Sequence, residues 1–417
     1  MFGGALASLT AMSACAGLLG IDAVGYSTGD AGEGEDADRD GFAGADADAD
    51  ADARTDADAG GRCLPDPVSV VTDAGEGARY APCDGALGVD LLSAKNHCGR
   101  CGHDCLDESC ADGRCARRYV APTVNAARVD VADGTYLYWH ETDLQSLGSL
   151  RRMRLPAGAA ETLATNALDA GGAILSMQDV RIDESTAFVR TYNFILRAPI
   201  DGGEMTRIGP AGNAGGFAID ALDVLSTDPA TTVGSIARTS KSDGGAAELV
   251  VTNQDYPMEM VTTPSGKVFW LNEPPDAAGE LHVYDAPSTL RLLGGLKSPG
   301  HLVVDEGYVY WGDSTAGAIL RLPINAPAEQ PPERVAAKPA APVVAAIAVD
   351  ADHVYWFART AGDANTPVYE HTLYKRAKCG SGPVTALASS AQGLNGIVVA
   401  GDYVYWSESG GIARVPK

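Results

Sequence analysis

The chain has 417 residues, 45% of them hydrophobic, and a formal net charge of −24. It is long enough to bury a large core and long for one ordinary domain, which predicts a main domain with appendages. Phosphate binding needs a basic patch, and this acidic chain offers none, so nucleic acid is excluded as a partner.

Residues 1–21 open with an uncharged apolar stretch from Phe2 to Ile21 that contains Met12-Ser13-Ala14-Cys15. Small residues before a cysteine, after an apolar run, resemble a bacterial lipoprotein signal. The resemblance implies that Cys15 is acylated and becomes the mature N-terminus. No Lys or Arg precedes the run, and Met12 stands where the family has Leu; a true start upstream of Met1 would account for the missing basic residues. An ordinary secretion signal and a short membrane anchor are the other readings of the same residues. Ala16 after the cysteine is not the Asp that favours inner-membrane retention in that family, so the expected location is the outer membrane or cell surface, with periplasmic or secreted as alternatives.

Residues 22–61 are dominated by Asp, Ala and Gly, with strict Ala-Asp alternation from Ala45 to Ala53. Up to Gly61 there are thirteen acidic residues and two Arg, a net of −11. Like charges and few large apolar side chains cannot offset the entropy of ordering, which predicts a disordered acidic spacer. Calcium binding by these carboxylates would need a turn that aims several oxygens inward, and the alternation contains none.

Residues 62–116 hold Cys63, Cys83, Cys98, Cys101, Cys105, Cys110 and Cys115. Cys98, Cys101, His103, Cys105 and Cys110 have the chemistry of a zinc site. Behind an export signal, however, dense cysteines in a small Gly- and Asp-rich segment predict disulfides and no metal. The pattern CGRCGHDC…C…GRC resembles the Stig1-like cysteine modules that precede propellers in myxobacterial lipoproteins, and it fixes no pairing. Seven is odd, so a bridge from the module to Cys379 is a further expectation.

Residues 117–417 repeat one unit. HLVVDEGYVYWGDSTAGAILRLP (His301 to Pro323) reads as strand, turn, strand, loop, strand, with apolar residues on both faces of the strands. All five tryptophans, Trp139, Trp270, Trp311, Trp356 and Trp406, occupy the same position of the unit, and two copies near Val180 and Phe217 lack it. Six intervals separate Trp139 from Trp406, a mean period of about 44.5 residues. Such a period with short strands predicts an all-β fold, a seven-bladed β-propeller, or six blades if the unit around Phe217 is incomplete. The last unit stops after its third strand, and Arg118-Tyr119-Val120-Ala121 is placed to supply the fourth. The unit resembles the repeats of the low-density-lipoprotein-receptor-like, YWTD-type propellers. Tyr310-Trp311-Gly312-Asp313 is its nearest approach to the tetrad, and the resemblance carries no active site across.

No catalytic constellation stands out. The seven histidines (His97, His103, His140, His282, His301, His353, His371) show no metal-binding spacing, and no nucleophile elbow or phosphate loop is present. The repeated Asp130, Asp183, Asp220, Asp305 and Asp350 are read as turn-capping residues, and the tryptophans as core between blades. The variable loops between second and third strands carry Glu141, Asp143, Glu273, Asp276, Asp313, Asp363 and Glu408, a possible binding rim for a protein, glycan or cation. The expectation is therefore a monomeric, exported, membrane-tethered binding module that is not an enzyme and takes no cofactor. The alternative is a metal-dependent propeller hydrolase or lactonase.

Overall fold

The computed structural model describes residues 80–417, apart from 84–85, 100–102, 124–125, 133, 143–147, 166–176, 212–214, 231–232, 338–342, 361–369 and 391–393. Residues 1–79 lie outside it, and with them Cys15, the acidic spacer and Cys63; Cys101, Asp143 and Asp363 are outside as well. All described residues belong to the unit Ala57–Lys417, and among them no helix is long and apolar enough to cross a membrane.

Seven four-stranded antiparallel sheets follow one another: 126–165, 177–210, 217–254, 257–296, 299–337, 343–390, and 396–416 completed by Arg118–Ala121. The unit around Phe217 is a full blade, so the six-bladed alternative falls. Its first strand is the three-residue Phe217–Ile219, paired in order with Asp223–Asp228, Gly234–Ser240 and Glu248–Gln254. The first strands of successive blades pack side by side around the axis, and that of blade 7 packs against that of blade 1. The ring closes as the repeat count requires: Arg118–Ala121 pairs with Gly411–Pro416, with Ile412 opposite Ala121 and Ala413 opposite Tyr119. Pairing both ends of the domain in one sheet removes the open edge a split ring would expose.

The run YVYW explains itself in this geometry. Successive strand residues point to opposite faces, and here each face meets another blade. Trp356 packs with Tyr310 and Ile319 of the preceding blade, while Tyr355, one residue earlier, packs with Val404 and Trp406 of the following blade. The same division holds for Tyr310 and Trp311 and for Tyr405 and Trp406. All five tryptophans are essentially fully buried.

Polar residues of the repeat stitch the face opposite the channel mouth. Asp183, Asp220, Asp305 and Asp350 each accept two backbone N–H bonds from the turn that follows. Asp305 and Asp350 also accept a tyrosine hydroxyl (Tyr310, Tyr355) and a lysine from the end of the next blade's third strand (Lys378, Lys417). Third-strand arginines reach a main-chain carbonyl of the next blade: Arg197 to Lys241 at 2.7 Å, Arg321 to Lys378 at 3.0 Å and Arg414 to Pro156 at 3.0 Å. Asp130 departs from the expectation. It lies inside its strand ahead of the turn, and accepts from Val131 N and from Ile182 N of blade 2 at 2.9 Å each, so it ties two blades together instead of capping a turn.

The cysteine module packs on blades 6 and 7. Cys98 pairs with Cys110 and Cys105 with Cys115, and these sulfurs lie against Leu387, Ala388 and Val415. Asp107 accepts from Arg414 at 2.6 Å and from the Tyr403 hydroxyl at 2.8 Å. The bridge expected between module and Cys379 is not one of these two: both pair cysteines inside the module, and the Cys379 sulfur sits 2.9 Å from Ser381 Oγ in the turn after the third strand of blade 6. Cys83 lies in a short hairpin, Tyr80–Cys83 with Ala86–Asp90.

Candidate functional site at the channel mouth

The channel mouth is the face where first strands begin and second strands end. Several first strands carry an irregularity there: between Ala126 and Val129, Met177 and Asp179, Pro257 and Met260, Gly300 and Val303, and Val344 and Ala346. A bulge re-aims the side chain it carries, and these bulges hold Arg128, Gln178, Glu259 and His301. His301 adopts φ +59°, a left-handed conformation uncommon outside glycine.

On the blade 4–5 side, a pocket of about 410 Å³ is lined by Glu259, Glu273, His301, Pro274, Pro299 and Ser314, among others. Glu259 accepts from Leu302 N at 2.7 Å, and its other oxygen lies 3.8 Å from His301 Nδ1. Burial opposes its ionised form, but His301, Arg128 and the backbone amides of His301 and Leu302 outweigh burial and hold the carboxyl below the usual range. Glu273 follows the second strand Val268–Asn272, and its N–H is anchored on Tyr256 O at 3.0 Å. Burial, then the Glu259 charge, pushes its carboxyl up to about 8. Burial and Arg128 hold the His301 ring below the usual imidazole value against the pull of Glu259. At neutral pH the pocket therefore presents one ionised carboxylate, one protonated carboxyl and one neutral imidazole.

Blades 1 and 2 supply a basic wall. Asp179 accepts from Val180 N at 2.8 Å and from Arg181 at 2.6 Å, and Arg128 lies 3.7 Å from its other oxygen. Burial followed by the coulombic pull of Arg181 raises and lowers Asp130 respectively; burial dominates and takes its carboxyl up to about 6.

The rim residues expected from sequence divide into three groups. Glu273 lines the pocket, and Asp276 is exposed beside it. Asp313 accepts from Thr315 N and Ala316 N at 2.9 Å and borders a cavity of about 240 Å³ beside Trp311. Glu141 and Glu408 are used by the fold. Glu141 accepts from Trp139 Nε1 and Arg151; Glu408, only 2% exposed, accepts from Trp406 Nε1, Arg117 and Tyr119. Sequence reasoning missed Glu259, His301, Arg128, Asp179 and Arg181 as a group. Their signal is a charged or imidazole residue inside a first strand that is otherwise apolar, as in MEMVT and GHLVV, whereas VVAAIAV and GIVVA of blades 6 and 7 have none.

Among the described residues, one group of donor atoms comes close enough together for a metal ion, the sulfurs of Cys98, Cys105 and Cys115, and the two bridges occupy them.

No protein-family model matches the chain, and no curated protein matches it in sequence. Among solved structures, it is similar to a catalytically inactive variant of virginiamycin B lyase from Staphylococcus aureus with quinupristin, at 12% identity and a TM-score of 0.54, over 72% of this chain and 99% of that one. A prolyl endopeptidase structure matches at 10% identity and a TM-score of 0.50, over 72% of this chain and 51% of that one. A nidogen–laminin complex, at 16% identity and a TM-score of 0.38, covers 48% of this chain and 76% of the other, too loosely to carry an argument. At these identities the likeness is one of fold alone: this chain is a seven-bladed β-propeller with a disulfide-bonded N-terminal module.

Proposed function

We propose that the chain is an exported, membrane-tethered lipoprotein whose propeller binds a hydroxyl-bearing ligand, a glycan, at the channel mouth without transforming it. Support for export and tethering comes from the apolar segment Phe2 to Ile21 that contains Cys15, the acidic spacer and the bridged cysteines; a Stig1-like module before a YWTD-type propeller is the arrangement these residues resemble. The observation that carries the binding reading is the pair Glu259 and Glu273. A protonated carboxyl donates and an ionised carboxylate accepts, the two roles a hydroxyl answers, and the pocket's prolines offer flat apolar faces beside them. Equilibrium binding to a panel of oligosaccharides at pH 6 tests it: saturable binding that is lost in Glu259→Gln supports the reading, and a panel with no binder sinks it.

A second reading is favoured by the same pair, since carboxyls driven apart in protonation are the mark of acid–base catalysis. Glu273→Gln separates the two. Glutamine still donates a hydrogen bond, so a binding site survives the change, whereas a general acid cannot lose its proton and keep turnover. Exposure on the cell is tested by protease treatment of intact cells with wild type and Cys15→Ala; a wild type protected from protease would place the propeller inside the envelope.

A further inference from the structure

The basic wall of the channel, on blades 1 and 2, holds polar atoms that the fold leaves unsatisfied, and this observation does not rest on the pocket at blades 4 and 5. Arg190 is the penultimate residue of the second strand of blade 2, Thr186–Thr191, and is 7% exposed. It stands opposite Asp179 in the strand pairing and on the face of Phe188, toward blade 3. Its Nε and Nη1 are buried and have no hydrogen-bond partner. His140, at the corresponding height on blade 1 and on the face of Tyr138 toward blade 2, is 2% exposed; its ring is drawn to the main chain of Gln178 but completes no hydrogen bond of good geometry.

The neighbouring carboxylates do not satisfy these donors: no carboxylate oxygen lies within hydrogen-bond distance of Arg190 Nε or Nη1. Asp179 Oδ1 takes Val180 N and Arg181, and Asp130 takes Val131 N and Ile182 N. Arg128 approaches Asp179 only to 3.7 Å, beyond hydrogen-bond distance. Three guanidinium groups (Arg128, Arg181 and Arg190) thus gather around Asp179, with Asp130 acting on Arg181 and Arg128, and Glu259 also drawing Arg128. Blade 3, which Arg190 faces, adds no acidic side chain in its short first strand Phe217–Ile219. Burial and the repulsion of Arg128 and Arg181 weaken the charged form of Arg190, and burial pulls the His140 ring down to about 4. A buried donor left unmade costs the desolvation of the group, more when it is charged, and persists in a fold when something else meets it.

We propose that this wall is an oxyanion subsite: a phosphate or carboxylate group of a ligand enters the channel mouth and accepts hydrogen bonds from Arg190, with His140 and Arg128 beside it. An oxyanion fits because it offers acceptors without donors and meets the guanidinium groups gathered around Asp179 with charge-assisted hydrogen bonds.

The test is thermal unfolding of the full chain titrated with inorganic phosphate and, separately, acetate, against chloride at matched ionic strength, in wild type and in Arg190→Met and His140→Leu. The wild type is expected to show a saturable rise in Tm with at least one oxyanion and none with chloride. Arg190→Met should bind that oxyanion about 30-fold or more weakly (about 2 kcal/mol). In oxyanion-free buffer the same variant should lose little stability, since the guanidinium removed has two buried donors without partners, and saturating oxyanion should widen the gap in favour of the wild type. A response to phosphate alone assigns a phosphoryl ligand, and a response to acetate assigns a carboxylate. If Arg190→Met does not fold, Arg190→Lys, which keeps the charge but loses Nε–H and the planar fork, should still weaken the response. Unfolding that ignores both oxyanions, as ordered water alone at these donors would give, overturns the proposal, and so does an equal response in wild type and variants.

Discussion

Replacing Glu273 with glutamine isolates the electrostatic core of the candidate site. The carboxyl has an ordinary value of 4.5 and is pushed up to about 8 by burial and by Glu259. A raised carboxyl value means that the folded state disfavours the charged form. Below pH 4.5 both states hold the proton and there is no cost; as pH rises from 4.5 to 8 the unfolded chain releases its proton while the folded chain keeps it, and the wild type loses stability; above 8 the loss is complete. Three and a half units at 1.36 kcal/mol each set a ceiling of about 4.8 kcal/mol, and since Glu273 is partly exposed we expect about 2–3 kcal/mol. Glutamine has the same shape and no charge, so Glu273→Gln should match the wild type at pH 4 and exceed it by that amount at pH 9. The assay is equilibrium unfolding in urea at pH 4, 6, 7.5 and 9, read by tryptophan fluorescence from the five buried indoles. A stability difference that does not change with pH would refute the reasoning, because Glu273 would then titrate as an ordinary surface carboxyl.

Other outcomes follow from the packing. Arg414→Met removes a guanidinium that is 1% exposed on its side chain and held by Asp107, Glu108 and Pro156 O. It should cost about 3 kcal/mol and expose the module to limited proteolysis near Glu108 before the blades are cut. Trp356→Ala, at a position shared by blades 5 and 6, should cost about 3–5 kcal/mol in urea, whereas Asp276→Ala on the exposed rim should stay within about 0.5 kcal/mol. Asp305 and Asp350 are held below the usual carboxylate range: burial opposes ionisation, and Lys378 for Asp305 and His353 and Lys417 for Asp350, with the turn amides, overcome it. Depressed carboxyls stabilise the fold above about pH 4 and lose that contribution as pH falls through their folded values. Asp305→Asn should therefore lower the urea midpoint at pH 6 and change it little at pH 2.

The ring was legible because its repeat is a physical necessity. A sheet with two apolar faces needs two neighbours, so alternating aromatic residues such as Tyr355 and Trp356 report both interfaces at once, and the missing fourth strand of the last unit points to Arg118–Ala121. The misplacements have equally specific causes. Glu141 and Glu408 follow a tryptophan by two residues, which on a strand puts them on the same face, within reach of the indole N–H; the spacing W-x-E alone does not say whether the strand continues or a loop begins there. Asp130 resembles the turn aspartates in type, but it falls three residues ahead of the Asp-Gly turn of its own unit. The channel-mouth group lay beyond sequence reasoning for another reason. Arg128, Asp179, Glu259 and His301 come from four blades and meet only after closure, and their aim depends on bulges that a strand pattern does not reveal.

The central claim is that the mouth binds a hydroxyl-bearing ligand through a protonated Glu273 beside an ionised Glu259. The most direct measurement is the affinity of one oligosaccharide binder at pH 6 and pH 9.5 for wild type and Glu273→Gln. Wild-type affinity should fall at least about tenfold at the higher pH, as the donor is lost, while Glu273→Gln should bind with nearly the same affinity at both. Equal pH dependence in the two proteins, or wild-type affinity that does not change, would contradict it.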